Sequence, residues 1–266
     1  MKPKPQDLKL IVQDKYGQIA KGQKSCCGGD TCCSSVDYSI FSDDYSGQQG
    51  YNKDADLGLG CGLPTEFAGI KEGDHVLDLG SGAGNDCFVA RTQTGDAGKV
   101  TGLDFTEAMI KKANKNLEKT GFKNIEFIQG DIEEMPLPDA SFDVVISNCV
   151  LNLVPDKQKA FSEIFRVLKP GGHFSISDVV IVGNLPEGLK KDAEMYAGCV
   201  SGAIDKNEYI SIVEQQGFSN IAVQKEKEIV LSDETLLNHI SPEELEEFKQ
   251  SGNGIFSITL FAEKMG

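Results

Sequence analysis

The chain has 266 residues, 41 acidic and 26 basic, and a formal charge of −15. Apolar residues at 39% and charged residues at 25% are ordinary for a globular protein with a real core, in one large domain or two small ones. The acidity argues against nucleic-acid binding, which needs clustered Lys and Arg, and suits a cationic ligand; with only His75, His173 and His239, little room is left for catalysis by paired His.

At the N-terminus, Met1-Lys2-Pro3-Lys4-Pro5 has charge but no apolar stretch behind it, so a signal peptide is not expected. No run reaches the ~18 apolar residues that span a bilayer. The expected location is cytoplasmic, where eight Cys read as reactive or ligating thiols rather than a disulfide scaffold. Residues 1–70 hold five of the eight. A short amphipathic helix is predicted from Leu8 to Ile19, with Leu8, Ile11, Val12 and Ile19 on one side. Ser25-Cys26-Cys27-Gly28-Gly29-Asp30-Thr31-Cys32-Cys33 follows as a loop.

Residues 71–180 alternate between strand and helix patterns. Strands are predicted at His75–Leu79, Val100–Leu103, Ile125–Ile128, Phe142–Ile146 and His173–Ser177. One helix opens at Thr106 as N-cap and stops at Gly121; another runs from Asp156 to Leu168 and ends at Lys169-Pro170-Gly171-Gly172. This alternation predicts an α/β fold with a mostly parallel sheet and helices on both faces. In residues 181–266, the runs Ile221–Leu231 and Ile255–Phe261 complete the sheet, and the region also supplies a substrate-side lid. Residues 232–249 read as an acidic, solvated helix face opened by Ser241-Pro242-Glu243-Glu244.

Asp78-Leu79-Gly80-Ser81-Gly82-Ala83-Gly84 follows the first strand and opens a helix. Asp104, twenty residues after Gly84, ends the second strand, a spacing that suits a carboxylate on both ribose hydroxyls. A dinucleotide is disfavoured, because Asn85 stands where its third Gly would fall and Asp78 would repel a pyrophosphate. The same Asp78 attracts the ammonium and sulfonium of S-adenosylmethionine. Asp131, after the third strand, is placed to accept from the adenine amino group. Phe105, Met109, Ile132 and Asn148 complete the expected cofactor set. This order, with residues 72–82 and Leu168-Lys169-Pro170-Gly171-Gly172, resembles the class I methyltransferases. The resemblance implies a Rossmann-like, seven-stranded sheet whose last strand is antiparallel.

The acceptor is read from the thiols. Ser147-Asn148-Cys149-Val150-Leu151-Asn152 follows the fourth strand without the Asn/Asp-Pro-Pro-aromatic run of amino-group methyltransferases, and no His or Lys stands by as a base. Cys61 lies in Gly58-Leu59-Gly60-Cys61-Gly62, and Cys199 in Gly198-Cys199-Val200-Ser201-Gly202. Exposed loop Cys are reactive, whereas Cys87, on the first core helix, reads as a small buried hydrophobe. Vicinal pairs in a Gly-rich loop suit soft-metal binding or thiol exchange. Zinc is disfavoured, with no Cys-x-x-Cys and no paired His.

With Tyr16-Gly17 as a helix end, these segments resemble the arsenite S-adenosylmethyltransferases. The resemblance implies that Cys149 and Cys199 hold trivalent arsenic, with Cys61 also binding. It further implies that one N-terminal Cys, by its Ser-x-Cys pattern Cys27, pairs with Cys61 as a disulfide or completes the thiolate set. The neighbours Cys26, Cys32 and Cys33 are open to roles in metalloid capture or exchange. Arsenite and methylarsenite are the implied acceptors, thioredoxin or glutathione the reductant, and a monomer the expected state. Two alternatives stand beside this reading: a quinone-type small-molecule methyltransferase, and a non-catalytic thiol-rich metalloid binder.

Overall fold

A computed structural model describes residues 5–20, 43–186, 188–189 and 202–266. The described chain forms one sheet of seven strands: β1 (His75–Leu79), β2 (Lys99–Asp104), β3 (Ile125–Gln129), β4 (Phe142–Asn148), β5 (Leu168–Val182), β6 (Ser219–Glu228) and β7 (Gly254–Glu263). Their order is β3-β2-β1-β4-β5-β7-β6. The first five are parallel, and β7 runs antiparallel between β5 and β6.

The central strands read as continuous apolar runs because helices cover both faces. Val76, Leu77, Leu79, Val144, Val145 and Ile146 are all fully buried. β6, at the edge, instead alternates half-buried and exposed residues and carries Lys and Glu, which discourage pairing with another chain. The helices are α1 (Pro5–Ala20), α2 (Pro64–Phe67), α3 (Asn85–Thr94), α4 (Glu107–Thr120), α5 (Lys157–Val167), α6 (Lys206–Gln215), α7 (Asp233–Leu237) and α8 (Pro242–Gln250).

Several expectations shift. Tyr16-Gly17 does not end α1, which continues to Ala20. Thr106 stands at the N-cap of α4, but its side chain makes no capping bond; Gly121 ends that helix with φ 75°. Helix α5 stops at Val167, and Lys169-Pro170-Gly171-Gly172 forms the head of β5, far longer than predicted. Residues 232–249 are two helices rather than one solvated face. Ser241 and Glu244 form a capping box on α8, while Leu236, Ile240 and Leu245 are buried in an apolar cluster that includes Cys61 and Cys149. Charge on the outer face of that run hid its inward stripe.

Candidate active site

Strand order reverses between β1 and β4, and ligands bind beyond the carboxyl ends of strands at such a point. A cavity of about 150 Å³ opens there. Gly80, Ser81 and Gly82 line it from the loop after β1; Asp104, Phe105 and Met109 from the β2–α4 turn; Asp131 and Ile132 from beyond β3; and Asn148 and Cys149 from the end of β4. Gly84 lies outside the lining, at the N-cap of α3 with φ 98°. Its ideal Cβ would come within 2.7 Å of Phe127, so only glycine lets α3 start this close to the sheet.

Asp104 is buried, and its two oxygens accept from the Thr106 and Gly82 amides at 2.8 and 3.0 Å. Burial raises its carboxyl, against the pull of those two amides. Each oxygen keeps a second lone pair for a diol. Ser81 Oγ and Thr106 Oγ1 are buried on this lining with no protein partner. Two orphaned hydroxyls, a buried carboxylate with lone pairs to spare, and an acidic end fit S-adenosylmethionine.

Of three predicted cofactor contacts, Asp131 and Asn148 line the cavity but hold other partners, and Asp78 lies off it. Asp78 does not line the cavity; it is sealed beneath the loop, where the Cys87 thiol donates to its Oδ2 at 3.2 Å. Burial and the nearby Asp86 push its carboxyl well above the usual range. Cys87 is therefore buried as expected, yet it is a hydrogen-bond donor and not merely an apolar filler. Asp131 already holds the Lys9 ammonium of α1 at 2.6 Å on Oδ2, and its Oδ1 accepts from the Glu133 amide at 3.0 Å. Lys9 also pairs with Glu133, and Lys9, Val12 and Tyr16 bring α1 over the cavity. Asn148 lines the cavity but is committed to the chain around Cys61, through Cys61 N–H to Oδ1 at 2.9 Å and Nδ2 to Gly62 O at 2.8 Å.

Two residues were missed. Asp86 sits in the first turn of α3 and lines the cavity beside Asn148. Its carboxyl is pushed up to about 6 by burial, against the Tyr45 and Asn148 hydrogen bonds. Tyr45 O–H donates to Asp86 Oδ1 at 2.8 Å. The only signal for Asp86 is a carboxylate two residues past the last loop glycine; Tyr45 gives none, because its contact spans 41 positions of sequence.

Of the predicted thiols, Cys61 and Cys149 are buried in one apolar cluster. Cys149 lines the cavity; Cys61 does not, although its neighbour Gly60 does. Cys149 takes φ 60°, the left-handed region that a side chain rarely adopts, and its amide donates to Ser177 O at 2.7 Å. Behind the pair lies Tyr209, fully buried, with O–H donating to Asp178 at 3.0 Å. Burial holds its phenol well above the usual range, and the Asp178, Cys61 and Cys149 charges add to this. Cys26, Cys27, Cys32, Cys33 and Cys199 lie outside the described residues.

A seven-stranded sheet of this order, with a glycine loop and acidic crevice at its switch point, defines the class I methyltransferase fold. The chain belongs to the methyltransferase-domain family, whose model matches residues 70–217. It is 41% identical over 236 residues to an arsenite methyltransferase of Halobacterium salinarum, covering 84% of this chain and 60% of that protein. A second arsenite methyltransferase, from Aquipseudomonas alcaligenes, is 39% identical over 184 residues, covering 66% of this chain and 53% of its own length. The chain thus spans between half and two thirds of these curated relatives. The crystal structure of an arsenic (III) S-adenosylmethionine methyltransferase from Chlamydomonas reinhardtii superposes with a TM-score of 0.67 at 37% identity, covering 77% of this chain and 68% of that one. Among the described residues, no helix is long and apolar enough to cross a membrane.

Proposed function

We propose that the protein transfers methyl groups from S-adenosylmethionine to trivalent arsenic held by its own cysteine thiolates, with arsenite and methylarsenite as acceptors. The observation that carries this reading is Cys149: a buried thiol on the lining of the cofactor cavity, held at φ 60° at the end of β4, with Cys61 in the same cluster. The arsenite-methyltransferase names of the relatives support the choice of acceptor.

Asp104 holds the ribose hydroxyls, Ser81 and Thr106 supply the orphaned hydroxyls, and Asp86 faces the cationic end. Bound there, the cofactor supplies an electrophilic methyl group on a sulfonium. Each thiol displaces one hydroxyl of arsenite as water, forming an As–S bond. Trivalent arsenic keeps a lone pair, so no proton leaves the nucleophile and no general base is needed. The apolar wall of Val179, Ile181, Leu236 and Ile240 excludes water from the bound metalloid. Cys199 completes the minimal pair with Cys149. Cys61 supplies a third thiolate, with Cys27 as its partner. Cys26, Cys32 and Cys33 capture metalloid or relay thiol exchange. Methyl transfer raises the arsenic from trivalent to pentavalent; two electrons from a thiol pair return it to the trivalent state and leave a disulfide, which a thioredoxin-type protein or glutathione reduces. Residues 1–70 thus serve the metalloid, 71–180 the cofactor, and 181–266 the substrate side; the protein acts as a cytoplasmic monomer.

Purified protein with cofactor, arsenite and a thiol reductant, its products separated over time, is the test. Methylated arsenicals are expected. Turnover of a demethylated quinone with none of arsenite would overturn the reading in favour of a small organic acceptor, and binding without turnover would favour a metalloid binder.

A further inference from the structure

The methyl-transfer reading uses Asp86 at the cavity but not the buried polar network it belongs to. It links residues 43–63, the first turn of α3 and the end of β4. Tyr45 O–H reaches both oxygens of Asp86, at 2.8 and 3.0 Å. Asn148 Nδ2 reaches Tyr45 Oη at 2.5 Å, Gly62 O at 2.8 Å and, at longer range, Asp86 Oδ2 at 3.3 Å. Asn148 Oδ1 accepts from Cys61 N–H at 2.9 Å.

These contacts use the whole amide. Its oxygen takes the Cys61 N–H and its nitrogen gives to the Gly62 carbonyl, so one side chain grips the backbone on both sides of the Cys61–Gly62 peptide. The approach is close: an ideal Cβ at Gly60 would lie 2.6 Å from Asn148 Nδ2. The residue after Asn148 is Cys149. The side chain beside one thiol therefore clamps the backbone of the other.

An amide can grip in two orientations, and only one is right here. If it flipped, its NH2 would face the Cys61 N–H and its oxygen would face the Gly62 carbonyl, leaving both unsatisfied. The Asp86 carboxylate accepts only, and Tyr45, whose hydrogen is given to Asp86, offers its oxygen lone pairs. Both groups demand a donor on the Asn148 side, which selects the observed orientation.

We propose that Tyr45 and Asp86 are positioning residues: by fixing the Asn148 amide they hold Cys61 in register with Cys149, so that both thiols can engage one arsenic atom. This rests on the thiolate reading of the acceptor site. Neither residue need touch the metalloid, and both act through Asn148.

The test measures arsenite affinity of the full-length protein without cofactor, by calorimetry at low temperature under reducing conditions. Cys26, Cys27, Cys32 and Cys33 are replaced by Ser so that the N-terminal pairs do not bind. In this background Cys61→Ser sets the loss expected from one thiolate. Tyr45→Phe removes only the hydroxyl and is expected to weaken arsenite about tenfold, the scale of one lost hydrogen bond. Asp86→Asn, nearly the same shape, is expected to act in the same direction. The decisive measurement is the double variant. Tyr45→Phe on top of Cys61→Ser is expected to cost nothing more, because the thiol it positions is already gone. An equal loss with and without Cys61 would show a general structural role and overturn the proposal. So would arsenite affinity within twofold of the parent for both single variants while Cys61→Ser is impaired. A parent that binds no arsenite would overturn the thiolate reading and this inference with it, whereas an effect of Cys61→Ser without one of Tyr45→Phe or Asp86→Asn would overturn this inference alone.

Discussion

Asp178 lies in the middle of β5, fully buried, and accepts from Tyr209 O–H at 3.0 Å and from the Val179 amide at 3.0 Å. Burial pushes its carboxyl up to about 7 from 3.8, although Lys157, Tyr209 and the Val179 and Asn152 amides pull the other way. For an acid with a raised folded-state pKa, the folded form binds the proton more tightly than the unfolded chain does. Below about pH 4 both states are protonated and the group is neutral in effect; stability then falls as pH rises, until both states are ionised above about pH 7. Roughly three units of displacement, at about 1.4 kcal/mol each, set the full cost at about 4 kcal/mol. Asp178→Asn removes the charge and keeps an acceptor for Tyr209. Against this, the amide offers one acceptor to two donors, a cost of about 1–3 kcal/mol that is present at every pH. The expected outcome is a change with pH rather than a fixed gain: relative to wild type, the variant should gain about 2–4 kcal/mol between pH 5 and pH 8. Urea unfolding at the two pH values, with thiols kept reduced, measures this. A variant whose stability relative to wild type is the same at both pH values, or worse at pH 8, would show that the buried charge is compensated and refute the reasoning.

Three further outcomes are expected. Asp104→Ala should weaken S-adenosylmethionine by roughly 2–4 kcal/mol, the worth of one or two charge-assisted hydrogen bonds, and unchanged affinity on calorimetric titration would remove Asp104 from the site. Because Asp86 lines the cavity and its carboxyl sits at about 6, cofactor affinity should rise as pH climbs from 5 to 7, and that rise should disappear in Asp86→Asn; an equally steep profile in the variant would place the titrating group elsewhere. Cys149→Ser should bind the cofactor normally and fail with both arsenite and methylarsenite, since a protonated hydroxyl is a poor ligand for a soft centre. Wild-type rates in that variant would point to an organic acceptor.

The sheet was legible because its signals are local. The inner parallel strands are buried on both faces and so spell apolar runs, while β3, at the edge, keeps a weaker pattern of Ile125, Phe127 and Ile128. The sequence delimits β1, His75–Leu79, to the residue and puts both C-terminal runs in the sheet. The errors fall where a second force outweighs the local one. Pro170 and the two glycines after it read as a breaker, yet Phe142 pairs with Leu168 and the antiparallel partner β7 extends the strand on its other side. The acidic run 232–249 reads as solvated because charge dominates its composition; three apolar residues at Leu236, Ile240 and Leu245 suffice to bury one side of it.

At the site, the glycine loop, Asp104 and Cys149 are legible because each follows or ends a strand that can be counted, whereas Cys61 is marked only by the glycines around it. It misassigned Asp78 because sequence position does not reveal depth. A carboxylate at the fourth position of a buried strand points either into the crevice or beneath it, and here it lies beneath, held by Cys87. The cavity carboxylate is instead Asp86, eight residues further on in the first turn of α3. That exchange explains why Cys87 belongs with the site although it touches no ligand. Its thiol is the donor to Asp78 Oδ2, and burial raises both groups, which favours their uncharged forms under the loop. Of the two carboxyls, Asp86 alone lines the cavity above the loop. A carboxyl raised by burial beneath the loop and a second one, raised less because Tyr45 and Asn148 hydrogen-bond to it, are thus one arrangement. Spacing along the chain cannot display it, because the partners that decide it are Tyr45 and Asn148, on either side of the loop in sequence.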